Sequence, residues 1–348
     1  MFENMRFTAG NGKSPIAGAL LRSLGEHGEL SIPALRALSP LSDKAQVMVD
    51  KAVVEVGLER LVFAADLMSE GLTYSLPDPL SVTQLEWDKG SKVGTAQRTM
   101  SPAARGENQL VDRTHTRLPI YLTTDDFSLG IRTLKMSERI GQPLDTSMIK
   151  QATRRVNESI EDAAINGATT LDGQQLVVAG YGAPGLLNAP NANTQTLSVD
   201  WTATNVIGTT GPAMLADVLA MIGKAQADHK YGPYNLYIGT VAGTVIEGDF
   251  KVNTVDTIRE RLERVEVGGR KLRIRIADRM PGAATGTQCV LVQMTSDVVE
   301  MVNGQPPTVI PWTSLDGFTL YWLIMAIMVP RVRDDYDGQS GVVLGVKS

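Results

Sequence analysis

Cysteine is almost missing from this sequence: Cys289 stands alone in 348 residues. An intrachain disulfide is therefore excluded, and the apolar run Cys289, Val290, Leu291, Val292 predicts a buried strand with a core thiol rather than a nucleophile. Histidine is nearly as rare. His27, His115 and His229 have no second His or Cys at metal-ligand spacing, which argues against a zinc centre. Basic residues are outnumbered, 33 against 38 acidic ones, for a net charge of −5, and they are dispersed along the chain. No clustered basic surface of the kind that dominates affinity for nucleic acid is expected, and sequence-specific DNA binding is not. Long hydrophobic runs are absent too. The longest, Phe318 to Val329, is about half of the roughly 20 residues a membrane helix needs and reads as a long core strand. Met1 to Lys13 lacks the apolar segment and cleavage site of a secretory signal, so cytoplasmic synthesis is the expectation.

Catalytic patterns are missing as well. There is no P-loop, nucleophile elbow or HExxH motif. Gly239 to Gly243 follows a candidate strand but has no Lys and no further glycine, so a tight turn is the reading rather than a phosphate loop. The adjacent acids Asp125 and Asp126, Glu161 and Asp162, and Asp334 and Asp335 point away from each other on any helix or strand, and a solvated face is expected for all three pairs. The polar run from Arg113 to Arg117 has no interleaved aromatics for nucleic acid, and charged contact with a neighbouring subunit suits it better. The sum of these readings is a protein with no catalytic residues, no cofactor and no metal.

What is present is ordinary globular material, 43% hydrophobic and 20% charged. A short helix is predicted at Pro15 to Glu26 and a longer one at Ser42 to Ser69, where Val47, Val54, Leu58 and Leu61 keep helical spacing. Pro77 and Pro79 end it. From Ser81 to Leu122, two extended arms flank a charged, Gly-bearing middle at Asp88 to Thr116, suggesting a hairpin too long for a tight turn. The strongest helix spans Asp145 to Asn166. Its buried stripe is Met148, Ala152, Val156, Ile160 and Ala163 or Ala164; its outer face carries Lys150, Arg154, Arg155, Glu158, Glu161 and Asp162; Asp145 is its N-cap and Gly167 its exit. After a Gly- and Asn-rich stretch, an α/β rhythm follows: a helix from Pro212 to His229, a strand at Leu236 to Gly239, a helix at Thr254 to Val265, and strands at Leu272 to Ile276 and Val290 to Gln293. Strands at Val298 to Val302 and Phe318 to Val329 precede a polar tail.

The order of four segments carries a resemblance. Arg117 to Phe127 (RLPIYLTTDDF), the amphipathic helix closing on Glu161 to Gly167 (EDAAING), Gly182 to Leu187 (GAPGLL), and Tyr231 to Gly239 (YGPYNLYIG) together resemble the encapsulin and encapsulin-like major capsid proteins, which share the Hong Kong 97 fold of tailed-phage capsids. The resemblance covers roughly Ser81 to Val332. It implies an α+β chain with an N-terminal arm (1–43), a helix and linker of a peripheral domain (44–80), an extended β-hairpin loop (81–122), a peripheral domain with its spine helix at 145–166 (123–211), an axial domain (212–297), and peripheral strands with a C-terminal tail (298–348). It further implies a structural major capsid protein that assembles with itself, as pentamers and hexamers, into an icosahedral shell around double-stranded DNA. Scaffolding, portal and decoration proteins are its other candidate partners, no membrane is involved, and the virion capsid is its place. An encapsulin-like compartment around a cargo enzyme is the alternative. The longer N-terminal arm and inserted loop favour the phage capsid. On this reading the extended loop contacts the neighbouring subunit through Trp87, Lys89, Lys92, Arg98, Arg105, Arg113, His115 and Arg117, and Lys89 and Lys92 are the lysines available for a cross-link.

Overall fold

A computed structural model of the chain describes residues 62–92, 98, 100, 110–133, 136, 147–170, 172–252, 255–280, 286–314 and 318–347. The N-terminal arm, the helix expected at Pro15 to Glu26, most of the one at Ser42 to Ser69, the proposed N-cap Asp145, and Arg105 lie outside these residues. In chain order the elements are α1 (Phe63–Ser69), β1 (Thr73–Ser75), β2 (Gln84–Gly90), β3 (Arg113–Pro119), β4 (Thr123–Gly130), α2 (Ser147–Asn166), β5 (Val177–Val178), β6 (Tyr181–Gly182), β7 (Asn193–Thr196) and α3 (Thr210–Ala227). There follow β8 (Tyr234–Ile238), α4 (Thr240–Ile246), α5 (Ile258–Glu263), β9 (Glu266–Val267), β10 (Arg270–Lys271), β11 (Arg273–Ile276), β12 (Thr287–Gln293), β13 (Val299–Thr313), β14 (Thr319–Val332) and β15 (Val342–Val346).

Two compact units divide the chain. One gathers Thr124–Val156 and Pro307–Ala326; the other gathers Arg60–Thr123, Asn157–Pro306 and Ile327–Ser348. In the first, β4 alternates half-buried and exposed residues along its length, as a strand with one covered face does. Phe127 stacks on Trp322 at 5.3 Å between ring centroids, and Arg155 on the first half of α2 reaches Asp125 at 2.8 Å. That half of α2 buries Ile149, Ala152 and Val156, whereas Met148, expected in the stripe, is 42% exposed. Successive steps of four residues each overshoot a helical turn by about 40°, so a stripe written only in fours drifts off the core; a step of three back from Ala152 lands on Ile149 and stays on it.

The second unit is built on a five-stranded sheet ordered β11, β8, β12, β15, β7. Every residue of β8, YNLYI, is buried, the pattern of a central strand covered on both faces. Met214, Val218, Met221 and Ala225 of α3 pack with Leu236, Ile238, Cys289, Leu291 and Val343 in one core. Cys289 is fully buried, and burial raises its thiol pKa far above the usual range. The glycine-bearing run at 239–243 is not an isolated tight turn: Gly239 is the extended residue that leads β8 into α4. The polar tail expected after Val329 needs correction in the same way. Within it the apolar VVLGV forms β15, antiparallel to β12 and parallel to β7, because five apolar residues paired on both edges are enough to complete a sheet even inside charged surroundings. Strands β4 (TTDDFSLG) and β7 (NTQT) also fall where the residue pattern suggested no regular structure, β4 carrying two adjacent acids and β7 being short and wholly polar.

A second correction concerns Glu161, expected on the solvated face of α2 but only 1% exposed. Its carboxylate accepts the Phe63 N–H at 2.7 Å and the Ala64 N–H at 3.2 Å, which satisfies the open first turn of α1. Burial pushes its pKa up, and the backbone N–H groups of Phe63, Ala64 and Val62 pull the other way without cancelling the rise. Close by, the Tyr237 hydroxyl donates to Asp66 at 3.0 Å and Arg275 pairs with the same carboxylate at 2.9 Å. Helix α2 ends as the sequence suggested. Gly167 takes φ +87°, and the N–H groups of Leu186 and Leu187 return to the carbonyls of Ala164 and Ile165 at 3.0 and 2.9 Å.

Candidate intersubunit surface

Strands β2 and β3 pair antiparallel from Gln84 opposite Pro119 to Gly90 opposite Arg113, so the expected hairpin exists. Its second strand starts four residues earlier than the extended reading from Arg117, inside the run taken as loop. Alternation gives this ribbon two unlike faces. On one lie Glu86, Asp88 and Gly90, facing Arg117, His115 and Arg113 across the strands. Arg117 reaches Glu86 at 2.8 Å, His115 Nδ1 sits against Asp88, and Arg113 approaches Asp88 at 3.9 Å. The side chains of Arg113, His115 and Arg117 are 69%, 73% and 40% exposed, so these pairs stabilise little and stay available to a partner. Arg117 also lies over the Tyr181 ring at 5.7 Å.

The opposite face carries Leu85, Trp87 and Lys89, and it turns toward its own chain. Leu85 and Trp87 pack against the cluster of Leu76, Leu118, Val302 and Val329. The Arg331 guanidinium lies over the Trp87 ring at 5.6 Å and over the Tyr74 ring at 4.8 Å, and it pairs with Glu300, which also binds Arg333 at 2.8 Å. Lys89 pairs with Asp334, whose other oxygen accepts the Asn191 amide at 2.7 Å. Lys92 donates to Gln339 Oε1 at 2.6 Å and lies 3.5 Å from Asp337. The structure thus engages Trp87, Lys89 and Lys92 within their own chain and leaves Arg98, Arg113, His115 and Arg117 exposed. Asp334, expected on a solvated face, is 8% exposed for the same reason: its charge has found Lys89, 245 positions away, which no local pattern reveals. Arg331, Asp334, Asn191 and Gln339 are the residues sequence reasoning missed at this surface, and only their position opposite the hairpin discloses them.

No set of three or more His, Cys, Asp or Glu among the described residues is arranged to hold a metal ion, and no helix among them is long and apolar enough to cross a membrane.

Residues 58–345 match the model of a family described as a family of unknown function (DUF6260). No curated protein matches the sequence. Among solved structures, the chain is similar to the capsid of Myoviridae phage XM1 at a TM-score of 0.61 and 12% identity, covering 84% of this chain and 95% of that one. It is similar to the virus-like particle from Pyrococcus furiosus at 0.55 and 14%, covering 85% and 97%. It is also similar to the capsid of the native GTA particle at 0.55 and 10%, covering 83% and 91%. Likeness over more than four-fifths of this chain and more than nine-tenths of each of those establishes the Hong Kong 97 type of α+β fold that the colinear segments pointed to.

Proposed function

The chain belongs to the family of unknown function DUF6260, and we propose that it works as a major capsid protein, a structural subunit that assembles with copies of itself into the shell of a tailed phage or prophage around double-stranded DNA. The observation that carries this reading is the whole-subunit likeness to the phage XM1 capsid, which includes 95% of that chain. A fold can host many functions, so the site must agree with it. The hairpin supplies that agreement: its outer face presents exposed alternating charges, suited to fixing the register of a neighbour more than to supplying affinity. Repeated contacts between unlike surfaces close into rings and shells. On this reading Ser81 to Leu122 is the extended loop, Ser147 to Asn166 the spine helix, and Arg98, Arg113, His115 and Arg117 the residues that meet the next subunit. The dispersed charge and net value of −5 fit a container whose DNA is driven in rather than bound by sequence.

An encapsulin-like compartment is the second reading, favoured by the likeness to the virus-like particle from Pyrococcus furiosus. Sedimentation and electron microscopy of the purified protein test both: closed shells are expected, and a protein that stays monomeric with and without neighbouring structural genes refutes them. A gene for terminase or portal beside this one supports the phage capsid; a cargo enzyme with a short C-terminal tag supports the compartment.

A further inference from the structure

The inward face of β2 meets one continuous stretch of the same chain. Leu85 packs against the cluster that includes Val329, Trp87 meets Arg331 and Lys89 meets Asp334, while Lys92, two residues beyond the strand, reaches Asp337 and Gln339. The contacts pass from apolar to charged as the hairpin runs outward. Their far end is itself braced, because Asp334 bridges to Ser340, the Asp335 N–H donates to the Gln339 carbonyl at 2.9 Å, and the Gly338 N–H donates to the Asp335 carbonyl at 3.0 Å. At the centre, Asp334 is held on both oxygens, by Lys89 and by Asn191, with the Lys89 and Asp334 side chains 15% and 5% exposed. Asn191 takes φ +52°, a left-handed conformation that asparagine tolerates better than most residues, and in it the amide reaches Asp334.

We infer that Lys89, Asp334 and Asn191 form a latch that fixes the β2–β3 hairpin to its own subunit and sets the direction in which this ribbon projects. The burial of the pair separates it from the outer-face pairs. Removing one partner of a buried, hydrogen-bonded pair leaves the other charge without compensation, whereas the exposed Lys92–Asp337 contact, with side chains 59% and 45% exposed, is weakened by salt and worth little. The latch concerns the folded subunit; its consequence for shell geometry rests on the capsid reading.

Hydrogen exchange on dispersed subunits tests it. In Lys89→Met the amides of 84–90 and 113–118 are expected to exchange about tenfold faster while those of β8 and β12 keep their protection, and in Lys92→Met the hairpin changes by less than about threefold. Should Lys89→Met not fold, Asp334→Asn carries the same comparison, since it keeps the side chain's size while removing its charge and one of its two acceptor oxygens. Unchanged hairpin exchange, or equal acceleration in β8 and β12, overturns the latch. Because the measurement needs no shell, a wild-type protein that never assembles refutes the capsid reading and leaves the latch standing. Normal wild-type shells together with unchanged exchange in the variant remove the latch alone.

Discussion

Glu161 offers the sharpest test of how the second unit is held together, because one side chain joins the start of α1 to α2 across 98 positions of sequence. Replacing it by alanine strands the Phe63 and Ala64 N–H groups in a buried place. At about 1–3 kcal/mol for each of the two buried donors left unsatisfied, the cost comes to roughly 2–6 kcal/mol. That is a large part of the about 5–15 kcal/mol by which domains are stable. Glu161→Gln keeps one acceptor oxygen and removes the buried charge, so it should lose less. The two variants also differ in pH dependence. Burial raises the folded carboxyl above its unfolded value, so the folded state holds the proton more tightly. The stability this contributes is fully present below the unfolded pKa and is lost as pH rises through the folded one. The advantage of wild type over Glu161→Gln should therefore shrink from pH 4 toward pH 7, as read by urea unfolding at each pH. An alanine variant as stable as wild type, or a wild-type advantage over glutamine that grows with pH, would refute the reasoning.

Other outcomes follow from the same geometry. Deleting residues 93–109, which spares Lys89 and Lys92 with their own-chain partners, should leave circular dichroism and solubility unchanged while shells disappear from sedimentation; closed shells of normal size from this variant would show that the loop is not an intersubunit element. Gly185→Ala should give insoluble or strongly destabilised protein, since the added carbon would lie 2.4 Å from the Gly167 nitrogen and 2.7 Å from the Ile165 carbonyl oxygen, backbone atoms that cannot step aside; ordinary expression and thermal stability would contradict this. Cys289, buried with its thiol pKa pushed up, should resist thiol reagents until the subunit unfolds, so that labelling tracks the urea transition; prompt labelling of native protein would place the strand elsewhere.

The sequence was most legible where burial is written into local periodicity. Helix α2, with Val156, Ile160 and Ala164 on one stripe, and helix α3 lie within two residues of their expected limits at most ends, and the apolar runs of β8, β12 and β14 were plain from composition. Strand β15 hid because five apolar residues beyond a charged turn look like a tail until a neighbour gives them a ladder. The charged residues were the least legible. Glu161 and Asp334 read as solvated acids because the groups that hold them, the amides of α1 and Lys89, are distant in sequence, and adjacency to another acid says nothing about them. At the candidate surface, strand alternation divides the residues into two sets, and only the fold tells which face is turned inward: Trp87 and Lys89 went in, Arg113, His115 and Arg117 out.

The place of β15 in the sheet has a consequence for timing. Val343 lies opposite Asn193, 150 positions earlier, and among the described residues β7 has no other neighbour in the sheet. At roughly 5–20 residues per second of synthesis, β7 waits on the order of ten seconds after it is made before the strand that anchors it exists. The helix packed behind it and strands β8 and β12 can gather in the meantime, but a long loop must close before this edge of the sheet is fixed, and such non-local closure slows folding. The ribosome therefore acts as a clock for this unit, withholding a finished sheet until residue 346 has been added.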